Sequence, residues 1–245
     1  MVVVLAPEGA DPGTASAVAE AARRGCQLVV ATQPESLVAQ HATGRWTTVL
    51  PTETGDQLAV AVAMLSFLDQ VHLGPSADSE SVAEALDVVA IACSPHRDIS
   101  INPAKILAIS LADANPLVWG GSVLAARAAR RIAESIRRTS GRTALAGDAE
   151  HLLPVIAAAR PRNVFADPFA EEAPDRRPVL VLLDDGADDP VVGEQRSRLE
   201  DQARARDVRI EHVTSEGAGE VARYASLLLS GTYAAEYLRL GLVED

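Results

Sequence analysis

The stretch that most constrains this chain runs from Ile101 to Arg138. It reads as a helix, a short apolar strand, a glycine turn and a long helix that starts at the turn. Pro116-Leu-Val-Trp119 is short, apolar and bounded by Asn115 and Gly120, the pattern of a buried strand. Gly120-Gly121-Ser122 follows, and Ser122 is placed to cap a helix carrying Val123, Leu124, Ala128 and Ile132. A strand that feeds a glycine turn into a helix N-terminus is how open α/β sheets build anion sites, because free amide N–H groups and the positive end of the helix dipole converge there. The same glycines also suit a tight turn against the sheet and nothing more, and the stretch alone leaves both readings open.

The rest of the chain repeats the theme. Val2-Val-Val-Leu5 is an apolar run of the kind buried on both faces at the centre of a sheet. A loop, Ala6–Gly13, leads to a helix over about 14–24 closed by Gly25, then to a strand at Cys26–Ala31. Helix, strand and helix recur at Glu35–His41, Thr47–Leu50 and Asp56–Leu73. Gly74–Ser79 interrupts the alternation, and two helices, Ser79–Cys93 and Pro103–Ala112, follow it. After the opening stretch, Asn163–Ala166, Val179–Leu183 and Ile210–Val213 read as strands, Pro190–Ala205 as a charged helix and Gly217–Leu240 as a closing one. Strands that alternate with helices imply parallel sheets with helical crossovers. The expected class is α/β: two doubly wound units over 1–75 and 114–245, joined by a helical connector over 76–113.

Aromatic residues make up only 3% of the chain, so the core must be built from Ala, Val, Leu and Ile, which favours α/β layering. A net charge of −12 repels nucleic acid and anionic membrane, and neither is expected as a partner. Cys26 and Cys93 are too few for a disulfide framework and read as buried thiols. The five histidines are scattered singly, so no metal and no cofactor is expected. No apolar run is long enough for a membrane span, and Met1-Val-Val-Val-Leu5 lacks the basic start of a signal peptide, so the expected location is cytoplasmic.

Several segments in fixed order resemble one family. They are Arg24-Gly25-Cys-Gln-Leu-Val-Val30, Asn102-Pro-Ala-Lys105, Asn115-Pro-Leu-Val-Trp-Gly-Gly121, Leu182-Leu-Asp-Asp-Gly-Ala-Asp-Asp-Pro190 and Gly231-Thr-Tyr-Ala-Ala-Glu-Tyr-Leu238. Together they look like the bifunctional phosphoglucose/phosphomannose isomerases of the sugar isomerase (SIS) fold, in a degenerate, TobH-like branch. The resemblance spans essentially the whole chain. Against that family the front is short, and the first unit is expected to be N-terminally incomplete. The resemblance implies a sugar phosphate as ligand and a homodimer. The long helices at Asp56–Leu73 and Gly217–Leu240 point the same way, since they carry more apolar surface than one incomplete unit covers.

The family's phosphate loop reads S-x-S-G-x-T, and the resemblance places it on Ala6-Pro7-Glu8-Gly9-Ala10-Asp11. Only the glycine is kept, Pro7 lacks an N–H, and Glu8 and Asp11 repel a phosphate dianion. The family's glutamate base falls on Arg138, which cannot accept a proton. Its histidine has one counterpart, His151, without the flanking Asn and Glu. Its C-terminal lysine has none, because Lys105 is the only lysine in the chain. Three functions follow as expectations: a noncatalytic homologue that binds sugar phosphate or regulates a partner, an active isomerase with a rearranged site that uses Arg138, Arg142 and His151, or a structural subunit of an oligomer. The candidate ligand-binding residues are Gly120, Gly121, Ser122, Arg138 and Arg142, with His151 the candidate catalytic group. Ser140–Asp148, rich in Gly, Ser, Thr and Arg, reads either as an anion-holding segment through Arg142 or as a flexible loop.

Overall fold

The computed structural model describes residues 1–160 and 176–242, in two compact units, Met1–Ser79 and Glu80–Asp245. The expected strand at Asn163–Ala166 lies outside the described residues.

The first unit is a parallel sheet of β1 (Val2–Ala6), β2 (Leu28–Thr32) and β3 (Thr47–Pro51) in the order β1-β2-β3. All five residues of β2 are buried. Alternation across the pleat sends Leu28 and Val30 to one face, under α1 (Pro12–Arg23) and α2 (Leu37–His41). Val29 and Ala31 go to the other face, under α3 (Gln57–Gln70). One expectation fails here. Val2–Leu5 is an edge strand rather than a central one, and Val3 and Leu5 are each more than a third exposed. A uniformly apolar run fixes neither how many neighbours a strand pairs with nor that both faces are fully covered, and the face of β1 that carries Val3 and Leu5 stays partly open. Gly25 closes α1 with φ of 70°, the left-handed conformation that a helix stop of this type requires.

The second unit holds α4 (Ser79–Ala92), α5 (Pro103–Ala112), β4 (Ala114–Gly120), α6 (Val123–Ser140), β5 (Leu145–Ala146), α7 (Ala149–Ala157), β6 (Arg177–Asp184), α8 (Pro190–Ala205), β7 (Arg209–Thr214) and α9 (Glu220–Gly241). Its strands are parallel in the order β5-β4-β6-β7. Val118, Val179, Val181 and Leu183 point to the face covered by α5, α6 and α9. Leu117, Trp119, Leu180 and Leu182 point to the face covered by α7 and α8. Helices therefore cover both faces, as a doubly wound sheet requires.

α6 shows why the layers lock. Ala125, Ala128, Ala129, Ile132, Ala133 and Ile136 fall on one stripe of a 3.6-residue repeat, and all are buried. Small residues on that stripe let α9 approach closely: a Cβ on Gly231 would sit 2.4 Å from Ile132 Cγ1. The helices expected as a connector pack inside this unit, where Leu107, Ala108 and Leu111 of α5 share a core with α6 and α9. Tyr237 of α9 donates its hydroxyl to the Cys93 carbonyl at 2.5 Å. The Ser140–Asp148 segment contains a two-residue strand, β5, that pairs Leu145 with Leu117 and Ala146 with Val118.

Candidate functional site

The sheet of the second unit has one place where the chain changes direction. From β4 it moves outward to β5 through α6, then returns past β4 to β6. The connections on either side of the β4/β6 boundary therefore leave on opposite faces of the sheet. Ligands of open α/β sheets bind in the crevice at such a point, beyond the C-terminal ends of the strands. Here the crevice is formed by Gly120-Gly121-Ser122 at the end of β4 and Asp184-Asp185-Gly186 at the end of β6.

The glycines have steric causes. A Cβ on Gly120 would lie 2.3 Å from the Ala125 backbone carbon, and one on Gly121 would lie 2.2 Å from Val192 Cγ1. Both are therefore required for α6 and α8 to approach the strand end, whatever else the turn does. Ser122 is the N-cap of α6 and accepts the Ala125 N–H at 3.0 Å. Its own hydroxyl donates to the Asp185 carboxylate. The second Asp185 oxygen accepts the Ala187 N–H at 3.3 Å. Asp184 accepts the Gly186 N–H at 2.9 Å and pairs with Arg196 at 3.0 Å. Partial burial pushes the Asp184 carboxyl up, but the Arg196 guanidinium and the Gly186 N–H outweigh it and hold the group below its ordinary value. Asp189 caps α8 through the Val191 N–H at 2.8 Å. The crevice thus offers a capped helix N-terminus with a carboxylate already on the capping serine. A phosphate brought to Gly120–Ser122 meets Asp185 at close range, a like-charge cost of about 1–2 kcal/mol in a partly exposed site.

The other expected site residues are dispersed. Arg138 is sixteen residues along α6 from Ser122, about 24 Å at 1.5 Å per residue. It is well exposed and pairs with Glu134 at 3.4 Å. Arg137 donates to the Ala144 carbonyl at 2.6 Å. Arg142 lies where the chain enters β5, at the opposite edge of the sheet. Burial lowers its guanidinium pKa, and the charge of Arg176 lowers it further. His151 is on the same edge as Ser122, since Ala146 lies level with Val118, but its side chain is 79% exposed. Its nearest acidic partner is Asp148, at 3.9 Å. The single lysine has a structural position: Lys105 Nζ donates to the Pro95 and Arg97 carbonyls, each at 2.8 Å, and lies 5.4 Å from the centre of the Tyr237 ring.

The corresponding edge of the first unit is closed differently. Gly9, with φ of 61°, sits over the pair formed by Thr32 Oγ1 and Ser36 Oγ at 2.9 Å. Asp11 does not face into the loop; its carboxylate accepts the Thr14 hydroxyl at 2.6 Å and the Thr14 N–H at 2.7 Å and caps α1. Those two bonds, the hydroxyl's first, hold it below its ordinary value. Thr52 donates to the Pro7 carbonyl at 3.3 Å.

Sequence reasoning missed Asp185, Thr32 and Ser36. The signal for Asp185 is in the chain, an Asp-Asp-Gly at the end of an apolar strand, but its partner follows only from the order of the strands. Among the described residues no group of His, Cys, Asp and Glu is arranged to hold a metal ion, and no helix is long and apolar enough to cross a membrane.

Comparison with known proteins agrees with this architecture. A glucose-6-phosphate isomerase-like protein from Thermus thermophilus is 18% identical, with a TM-score of 0.61 over 97% of this chain and 71% of that one. Tagatose-6-phosphate ketose/aldose isomerase from Escherichia coli is 13% identical, with a TM-score of 0.67 over 98% of this chain and 68% of that one. The C-terminal domain of glucosamine-fructose-6-phosphate aminotransferase from Francisella tularensis is 12% identical, with a TM-score of 0.63 over 97% and 70%. At these identities the likeness establishes the fold alone. No curated protein sequence matches. The bacterial phospho-glucose isomerase C-terminal SIS domain matches residues 100–241, more than half of the 245-residue chain. The chain belongs to that SIS-domain family.

Proposed function

We propose that this SIS protein is a catalytically degenerate member of its family that binds a sugar phosphate or a regulatory partner without isomerising it, as a homodimer in the cytoplasm. The observation that carries the loss of catalysis is the dispersal of the expected catalytic groups away from the switch point; the Ser122–Asp185 pair there weakens anion binding and makes any sugar phosphate a weak ligand. Aldose–ketose isomerisation needs a base to move a proton between C1 and C2, and a second group to open the ring. Arg138 occupies the position that the resemblance gives to the base, and it lies at the far end of α6 from the crevice. His151, the one histidine in line for the second role, points into solvent. The sugar-phosphate enzymes among the structural neighbours support a ligand of that class.

The test is direct. Pure protein given fructose 6-phosphate or mannose 6-phosphate is expected to leave it unchanged over hours. Turnover above about 1 s⁻¹, the low end of ordinary enzyme rates, that is lost in His151→Ala would replace this reading with an active site rebuilt around His151. Calorimetry with the same sugar phosphates then reports binding. An affinity unchanged in Arg138→Ala excludes Arg138 from the ligand.

A further inference from the structure

β7 pairs with β6 on one side, and among the described residues no strand pairs with its other edge. Beside that edge lies a cavity of about 310 Å³, within the second unit. Val88 and Val89 of α4 form one wall, Ala104, Ile106 and Leu107 of α5 another, and Cys93 lies between them. Every lining residue on α4 and α5 is apolar. The remaining side is Glu211, His212, Val213 and Thr214 of β7. Four consecutive residues of a strand line one cavity only from the strand's edge, because a face presents every second one.

The charge on that side has one sign. Val213 packs on the core under α5, α6 and α9, and Ile210 on the core under α7 and α8. Alternation therefore turns Glu211 towards α5 and the His212 imidazole to the other face, where it acts on Asp184. The buried Ser110 of α5 donates its hydroxyl to Glu211 Oε1 at 2.6 Å, which fixes the carboxylate and leaves its second oxygen to a ligand. Glu216, exposed just beyond β7, is a second lining carboxylate. Among the described residues that line the cavity none is Lys or Arg. Lys105 is turned to the Pro95 and Arg97 carbonyls, and Arg97 and Asp98 adjoin each other in the turn beyond α4 without lining the cavity.

An anion placed here faces two carboxylates, and a purely apolar molecule takes water from Glu211 without replacing it. A molecule with an apolar body and a positive end meets both walls. We infer that this cavity binds a small organic cation, an ammonium ion on an apolar body of about ten heavy atoms in all, at the ~30 Å³ that a heavy atom takes in a liquid. The body lies between α4 and α5. The ammonium, which has three donors and no acceptor, donates to Glu211, and Glu216 adds charge from the solvent side. This site is on the far edge of β7 from the β4/β6 crevice and takes a ligand of the opposite charge, so it does not rest on the sugar-phosphate reading.

Titration calorimetry on the full chain tests it with phenylbutylammonium, phenylbutanol and phenylbutyrate, which share one apolar body. The ammonium is expected to bind with a Kd below about 1 mM and about tenfold more tightly than the alcohol, and the carboxylate not to bind. Glu211→Gln keeps an acceptor for Ser110, and is expected to bring the ammonium to the alcohol's affinity while leaving the alcohol unchanged. Val88→Trp fills the cavity from its exposed wall and is expected to abolish binding of both. Absence of binding by all three probes overturns the site. An ammonium bound no better than the alcohol, or bound with full affinity by Glu211→Gln, overturns the cation. Full affinity in a folded Val88→Trp overturns the cavity as the location. If Val88→Trp does not fold, Ile106→Trp on the α5 wall, also near half exposed, decides in its place.

Discussion

The two sheets end on the same kind of edge and close it with opposite uses of their acids. In the first unit, Asp11 and Asp56 turn away from the strand ends and cap helices, Asp56 accepting the Leu58 and Ala59 N–H groups at 2.7 and 2.9 Å. What remains over the strands is a knot of hydroxyls, Thr32 on Ser36 and Thr52 on a carbonyl. In the second unit, Asp184 and Asp185 stay at the crevice, one held by Arg196 and the other by the N-cap serine. The first edge therefore has its hydroxyls engaged internally, and the second has a like charge in the anion's place. A side-chain knot is undone only by repacking, whereas one charge is removed by one substitution.

The largest effect should come from the glycines. Gly120→Ala pushes a methyl into the α6 backbone, which cannot rotate aside, and is expected to cost about 3 kcal/mol or more. Gly9→Ala meets side chains rather than helix backbone, the Ser36 and Thr32 hydroxyls and the Ser36 Cβ at 2.6 Å, and its left-handed backbone adds about 1–2 kcal/mol to that clash. Equal losses, read by hydrogen exchange within each unit, would break the contrast between a backbone obstacle and a side-chain one.

Arg196→Ala comes next, at about 2 kcal/mol, because it leaves Asp184 partly buried without its cation. The pH dependence has a definite sign. Asp184 is held below its ordinary 3.8, so the folded state binds its proton less readily than the unfolded chain does. The pair's contribution is complete above 3.8 and disappears as the pH falls through the lower folded-state value. The stability gap between wild type and Arg196→Ala should therefore narrow in that acid range. A constant gap down to full protonation would remove Asp184 as the cause.

Asp185→Asn sharpens the comparison most directly. It keeps a hydrogen-bond acceptor for Ser122 and removes the charge, and phosphate affinity is expected to rise about tenfold, or 1.4 kcal/mol. Glu8→Gln in the first unit should leave phosphate affinity as it was. Titration calorimetry with inorganic phosphate at two salt concentrations reads both, and a rise in the Glu8 variant alone would move the anion site to the first unit. The smallest effect is Asp56→Ala, about 1 kcal/mol for a lost N-cap, confined to the first unit and readable as a shift in its urea midpoint.

The sequence alone determined the α/β class and most of its elements, because they rest on local signals. A short apolar run such as Val179–Leu183, rich in β-branched residues and too short for a helix, reads as a buried strand, and Ser122 and Gly25 mark a helix start and a helix stop by their own chemistry. Tertiary structure alone decided everything that depends on strand order. It put Val2–Leu5 at an edge, made a strand of Leu145–Ala146 by laying it beside β4, and brought Asp185 onto Ser122 from 63 residues away. It also separated Arg138 from the glycine turn by the length of one helix. Local signals fix φ, ψ and burial; which carboxylate meets which hydroxyl depends on the order in which the strands assemble, and no periodicity in the chain records that order.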